Sequence, residues 1–239
     1  MRWMVPLMIG VTVVTTGCES TQDKSARLAK NGGNLTTEKG LVVQHRSSDV
    51  KVLSTRVIQD SNGAAAVVAM RNVSKRPLAQ VPVSIDVRGA GGKSLFRNDQ
   101  PGLESALTHA PLLTPDRSFF WVNDQIDASS RARAVKAKVG EAKSVSDRTI
   151  PKVVLSRPKL EIDPVSGAAA VGFATNRSKV EQRDLVIFAV ATKGRRVVAA
   201  GRGQVKRAKP GKRSRYQIFF IGNPRGASIE VSAPPTVLG

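Results

Sequence analysis

Residues 58–75 read IQDSNGAAAVVAMRNVSK, and residues 162–179 read IDPVSGAAAVGFATNRSK. Set against each other at a displacement of 104 positions, the two stretches share nine of eighteen residues. The identities are Ile58 with Ile162, the run Gly63 to Val67 with Gly167 to Val171, Asn72 with Asn176, and Ser74-Lys75 with Ser178-Lys179. A match at a fixed displacement marks an internal duplication. Its flanks keep pattern rather than identity. Val81, Val83, Ile85 and Val87 alternate in the first copy, and Leu185, Ile187, Ala189 and Ala191 hold the same phase in the second.

Within each copy the periodicity is that of strands. In the first, Val50 to Gln59 is rich in β-branched residues and runs into Asp60-Ser61-Asn62-Gly63. Asn-Gly between apolar runs predicts a tight hairpin in which both residues take positive φ. Ala64 to Arg71 returns, Asn72 to Pro77 turns, and strands follow at Val81 to Val87, near Lys93 to Phe96, at Ser118 to Val122 and at Ala132 to Val139. The second copy repeats the order over Lys152 to Asp163, Ala168 to Thr175, Leu185 to Ala191, Val197 to Gln204, Tyr216 to Ile221 and Ile229 to Ser232. Short strands with regular turn signals and almost no helical period predict an all-β fold of two tandem immunoglobulin-like β-sandwich domains. Residues 47–140 make the first, residues 151–239 the second, and residues 140–150 the expected linker.

Ahead of the repeats, residues 1–17 have the form of an export signal. Arg2 supplies the positive end, and Trp3 to Val14 an uncharged apolar stretch too short to span a membrane comfortably. Thr15-Thr16-Gly17-Cys18 resembles the bacterial lipobox, with Thr15 where an aliphatic residue is usual. The resemblance implies that diacylglycerol is transferred to the Cys18 sulfur and that the chain is cut before it. The chemistry requires a thiol as nucleophile and a small residue, here Gly17, on its N-terminal side. Cys18 is the chain's one cysteine, so no internal disulfide is possible. Residues 18–46 are polar and rich in Gly, Asn, Thr and Ser, as expected of a flexible tether.

The order of turns carries a second resemblance. Asn72-Val73-Ser74 and Asn176-Arg177-Ser178 follow a strand, an alternating strand and a Gly-containing hairpin come next, and Pro210-Gly211 precedes an aromatic strand. This is similar to the FxLYD-type immunoglobulin-like domains of bacterial surface lipoproteins. The Phe-x-Leu-Tyr core itself is replaced by Val83-Ser84-Ile85-Asp86-Val87 and Ile187-Phe188-Ala189-Val190-Ala191. The resemblance implies non-enzymatic modules, membrane-anchored and extracytoplasmic.

Composition narrows the chemistry further. Thirty-eight Lys and Arg stand against 18 Asp and Glu, a formal charge of +20 that attracts anions at long range. Anionic envelope polymers or a protein of the envelope are therefore the expected partners, besides the membrane reached through the lipid. An accessory role on a membrane enzyme or transporter is the alternative. Catalysis is not expected: no Gly-x-Ser-x-Gly occurs, and the lone thiol belongs to the lipobox. His45 and His109 stand apart from each other and from any ligand pattern, so neither metal nor cofactor is expected, and both rings should be solvated. Asn72 and Asn176 read best as turn-holding residues whose side chains bond the nearby backbone. Phe119-Phe120-Trp121 and Tyr216 with Phe219-Phe220 fall at matching places, where alternate residues of a strand enter a core. That placement, together with export, argues against nucleic acid as a partner.

Overall fold

The architecture comes from a computed structural model, which describes residues 40–128 and 130–239. The lipobox residues Thr15, Thr16, Gly17 and Cys18 lie outside the described residues, as does most of the expected tether. The fold is all-β and its sheets are antiparallel; the helical segments among the described residues are three-residue 3-10 turns.

The first copy contributes β1 (Val50–Asp60), β2 (Gly63–Asn72), β3 (Leu78–Arg88), β4 (Ser94–Arg97), β5 (His109–Leu113), β6 (Ser118–Ile126), β7 (Ala134–Val139) and β8 (Lys143–Ser144). One sheet has the order β1-β2-β6. The other is centred on β3, which pairs β4 and β5 on one side and β7 and β8 on the other. The second copy contributes β9 (Val153–Leu155), β10 (Lys159–Asp163), β11 (Gly167–Asn176), β12 (Gln182–Lys193), β13 (Arg196–Ala208), β14 (Arg213–Phe219), β15 (Ile221–Gly222) and β16 (Ser228–Ser232). Its sheets are β10-β11-β14, with β9 also on β11, and β15-β13-β12-β16.

The duplication is visible in the registers. Val68 faces Trp121 across the β2–β6 pair, and Gly172 faces Tyr216 across β11–β14. The displacement is thus 104 up to β3 and β12, and 95 at β6 and β14. The first copy holds the extra residues between β4 and β5, where the second has one unbroken strand, β13. Buried Asn98 anchors that insert: its side chain accepts from Ile85 N at 2.7 Å and donates to the carbonyls of Val83 and Leu107.

The hairpins that open each copy differ from the sequence expectation in one detail. The β1–β2 turn is closed by Asp60 and Gly63 over Ser61-Asn62, and Gly63 takes a φ of 127° whereas Asn62 does not enter the positive region. The turn therefore sits one residue earlier than Asn-Gly suggests. In the second copy Asp163 pairs with Gly167, so the loop is one residue longer. Asp60 and Asp163 are then the equivalent residues, and the Ile58–Ile162 identity falls outside the structural match. Both aspartates hold their turns: Asp60 Oδ1 accepts from Asn62 N, and Asp163 Oδ1 from Val165 N and Ser166 N.

The 140–150 segment is more than a linker. It carries β8, which pairs with Leu78 and Ala79, and Val145 N donates to Pro77 O. Residues 40–239 fall within one compact unit. Its four sheets stack as layers, with the β1-β2-β6 sheet and the β12–β13 sheet inside. Leu185, Ile187, Ala189 and Ala191 of β12 join one core with β11 and β14, while Val186, Phe188 and Val190 join the other with β2 and β6. A strand covered on both faces reads as a continuous apolar run, and β2 and β12 both do. At one corner β13 runs against the backbone of β14. A β-carbon at Gly201 would collide with the Phe219 carbonyl oxygen, so the sandwich closes there only over glycine.

Candidate functional site

The residues that sequence reading singled out are mostly structural. Asn72 is fully buried; its amide donates to the carbonyls of Arg76 and Leu113, and its oxygen accepts from the Ser74 backbone and hydroxyl. Asn176 repeats every contact, with Val180 and Ala208 as acceptors and Ser178 as donor. The Asn-x-Ser pairs are internal staples between strands. Trp121 is buried and its indole N–H donates to Ala106 O at 3.0 Å. Tyr216 is buried with its hydroxyl 3.4 Å from Ser156 O, and burial raises its pKa. Phe219, in contrast, stands 47% exposed on the outer face of β14.

His109 is half-buried rather than solvated. Its Nδ1 lies 2.9 Å from the Thr108 hydroxyl, and burial holds its pKa below the ordinary imidazole value. Among the described residues no three His, Cys, Asp or Glu side chains gather where they could hold a metal ion. No helix among them is long and apolar enough to cross a membrane. Asp86 is engaged by Arg88 and the Ser94 hydroxyl; burial raises its pKa, but those bonds bring it below the usual value. Part of the dense basic run 206–215 is likewise partnered. Arg207 pairs with Glu181 at 3.0 Å, Arg215 with Glu161 at 3.7 Å, and the Arg213 guanidinium lies 3.5 Å over the Phe173 ring.

A cleft of about 1160 Å³ opens where the two copies meet. Its walls come from three segments: Thr55–Asp60 of β1, the approach to β7 at 130–135, and Arg196–Val198 at the start of β13. Four exposed arginines line it, Arg56, Arg131, Arg133 and Arg196, and no lysine does. None of the four side chains has an ion-pair or hydrogen-bond partner among the described residues. Asp60, the acidic residue of the lining, is already engaged: Oδ1 accepts from Asn62 N and Oδ2 from Gly222 N, each at 2.7 Å. The cleft thus carries a net excess of three positive charges that nothing in the described protein neutralises.

Two further features fix its shape. On one side, β1 is laced to the β7 approach through side chains: the Thr55 hydroxyl donates to Val135 O, and Gln59 exchanges bonds with Ser130 O and Ala132 N. Thr55 and Gln59 lie on the same face of β1, so the segment 130–135 is held against that face by side-chain bonds. On the other side, the copies are locked together by Asp124 and Arg202. The guanidinium Nε lies 2.9 Å from Oδ1, the Arg202 backbone N–H donates to Oδ2 at 2.8 Å, and the side chains are only 17% and 7% exposed. Phe119 and Phe188 meet edge to face beside them, ring centroids 5.2 Å apart.

Sequence reading missed these arginines because they are scattered between positions 56 and 196 and form no run. The available signals were Arg131-Ala132-Arg133 and Arg195-Arg196, short basic pairs next to strand starts. The chain matches no protein-family model and no curated protein.

Proposed function

We propose that this protein is a non-enzymatic, lipid-anchored module of the bacterial cell envelope, related to the FxLYD-type surface lipoproteins, that holds anionic envelope polymers. The arginine cleft carries the reading: four guanidinium groups without partners among the described residues form a site prepared for anions. The placement rests on Thr15-Thr16-Gly17-Cys18. With a diacylglyceryl Cys18 the chain stays on the outer face of the membrane, two acyl chains giving firm attachment where one would be marginal. Fractionation with acyl labelling tests the anchor. Cys18→Ala should leave the membrane and lose the label; a variant that stays bound and labelled defeats it. Retention of the full chain on sedimented envelope polymers should fall steeply with salt, and salt-independent retention would count against the polymer reading.

One observation favours a second reading, an accessory subunit docked on an envelope protein. The outer face of the β10-β11-β14 sheet exposes Phe219 and Val154. Crosslinking through that face in intact cells separates the two readings: recovery of one defined membrane enzyme or transporter supports the second.

A further inference from the structure

We infer that the cleft between the two copies is a binding site for a linear polymer bearing phosphate groups, an inference that rests on the polyanion reading and names its site and ligand class. The size of the cleft comes first. About 1160 Å³ exceeds the usual range for small-molecule sites, roughly 300–1,000 Å³, and is open to solvent along exposed arginines. A single small anion would occupy a fraction of it and meet guanidiniums in water, where each contact is screened. A chain with an anion at every repeat engages several at once, and each engagement raises the effective concentration for the next.

The residue type comes second. All four cations are arginine, the residue whose planar fork takes two oxygens at a time. They stand on three different segments, so they approach a ligand from different directions. A planar carboxylate offers its acceptor sites in a single plane. A tetrahedral phosphate offers oxygens in more than one plane and can be shared between arginines of different segments. Placement is the third point. Thr55 and Gln59 hold the 130–135 segment against β1 through their side chains, which keeps Arg131 and Arg133 beside Arg56. The basic side chains of the cleft lining are arginines, which favours an anionic chain as ligand.

The site also requires both copies: Arg56, Arg131 and Arg133 belong to the first and Arg196 to the second. Neither half alone carries the constellation, which gives the Asp124–Arg202 lock a purpose beyond stability.

The test uses the detergent-solubilised full chain and four probes: orthophosphate, linear polyphosphate, poly(glycerol phosphate) and polygalacturonate as the carboxylate polymer. The Arg56→Gln/Arg131→Gln/Arg133→Gln/Arg196→Gln variant is compared with a control that removes four exposed cations elsewhere, Lys179→Gln/Lys206→Gln/Lys209→Gln/Lys212→Gln. All eight side chains are exposed, so melting temperatures should be unchanged in both variants. The expected result is binding of one or both phosphate polymers, weakened on the order of 10-fold or more in the cleft variant and little in the control. The slope of log affinity against log salt should drop by about 3 on losing the four contacts. Binding of polyphosphate alone or of poly(glycerol phosphate) as well tells which backbone is accepted, and either supports the site. Equal weakening in both variants overturns the cleft while the polyanion reading survives. Cleft-dependent binding that is as tight to polygalacturonate overturns the phosphate assignment. If the wild-type chain holds none of the polymers, both the cleft and the polyanion reading fall.

Discussion

Strands β3 and β12 occupy the same place in the two copies, yet their outward residues are opposites. Pro82, Ser84, Asp86 and Arg88 look outward from β3 and are partly solvated, whereas Val186, Phe188 and Val190 look outward from β12 and are buried. The inward sets, Val81 to Val87 and Leu185 to Ala191, are apolar in both. One layer away the difference is smaller: Ala65, Val67 and Ala69 face outward from β2 and are buried, and of their β11 equivalents Ala169 and Val171 are buried while Phe173 is partly open to water. A duplicated sandwich presents two outer faces per copy, and here one face from each has turned apolar and met the other. The pattern teaches which sheets are internal. Alternation marks a sheet with one wet face, and a continuous apolar run marks a sheet enclosed on both sides.

The most direct way to break the comparison is Phe188→Ala set against Ser84→Ala. Phe188 is 1% exposed and packs on Phe119 between the copies. Its truncation should cost about 3–5 kcal/mol in chemical denaturation, the usual range for a core Phe. Ser84, its equivalent on a solvated face, should change stability by no more than about 0.5 kcal/mol. Equal small effects would mean that the inner sheets are not truly packed. A step down in size comes from the lock. Arg202→Met leaves the Asp124 carboxylate largely enclosed with one backbone donor, and should cost about 2–3 kcal/mol, somewhat below the range for a fully buried pair. Adding Asp124→Leu should restore part of that loss, since it removes the unpaired charge while leaving the Arg202 backbone N–H without its acceptor. If the double variant is as unstable as the single, the pair does more than satisfy its own charge.

Much of this organisation was legible in the sequence, and the failures are physical ones. The Ala64–Val67 run, the Asn-x-Ser staples and the alternating strands locate the duplication and most strands because they depend on local chemistry: β-branched periodicity, turn residues and side-chain bonds to nearby backbone. Strand β5 escaped notice. His109-Ala110-Pro111-Leu112-Leu113 is short, carries a proline and follows an irregular insert, so it has no alternation to read. The enclosure of β2 and β12 was visible as apolar runs, but which layer each would meet is a long-range matter. The cleft was the least legible feature. Its arginines come together only because the copies pack face to face, and the Asp124–Arg202 pair that holds them spans 78 residues of sequence.

The smallest expected effect sharpens the comparison at the insert of the first copy. His109 on β5 occupies the position that Gln204 fills on β13, so His109→Gln makes the first copy resemble the second. The imidazole is half-buried, and burial holds its folded-state pKa below the unfolded value of about 6.5. For a base the sign is then fixed. The unfolded chain binds the proton more readily, so the stability is fully present above the unfolded pKa and declines as pH falls below it. Asp86 and Asp163 have lowered carboxylate pKa values and titrate at more acidic pH, which leaves the imidazole window separate. Thermal melts of the wild type between about pH 7.5 and pH 5.5 should therefore show a drop in Tm on the acid side. The His109→Gln chain should lose that drop while keeping the Trp121 indole bonds to Ala106 O and His109 O, which use only the backbone at position 109. An unchanged pH profile in the variant would show that the ring is solvated in solution and that the insert packs more loosely than β13.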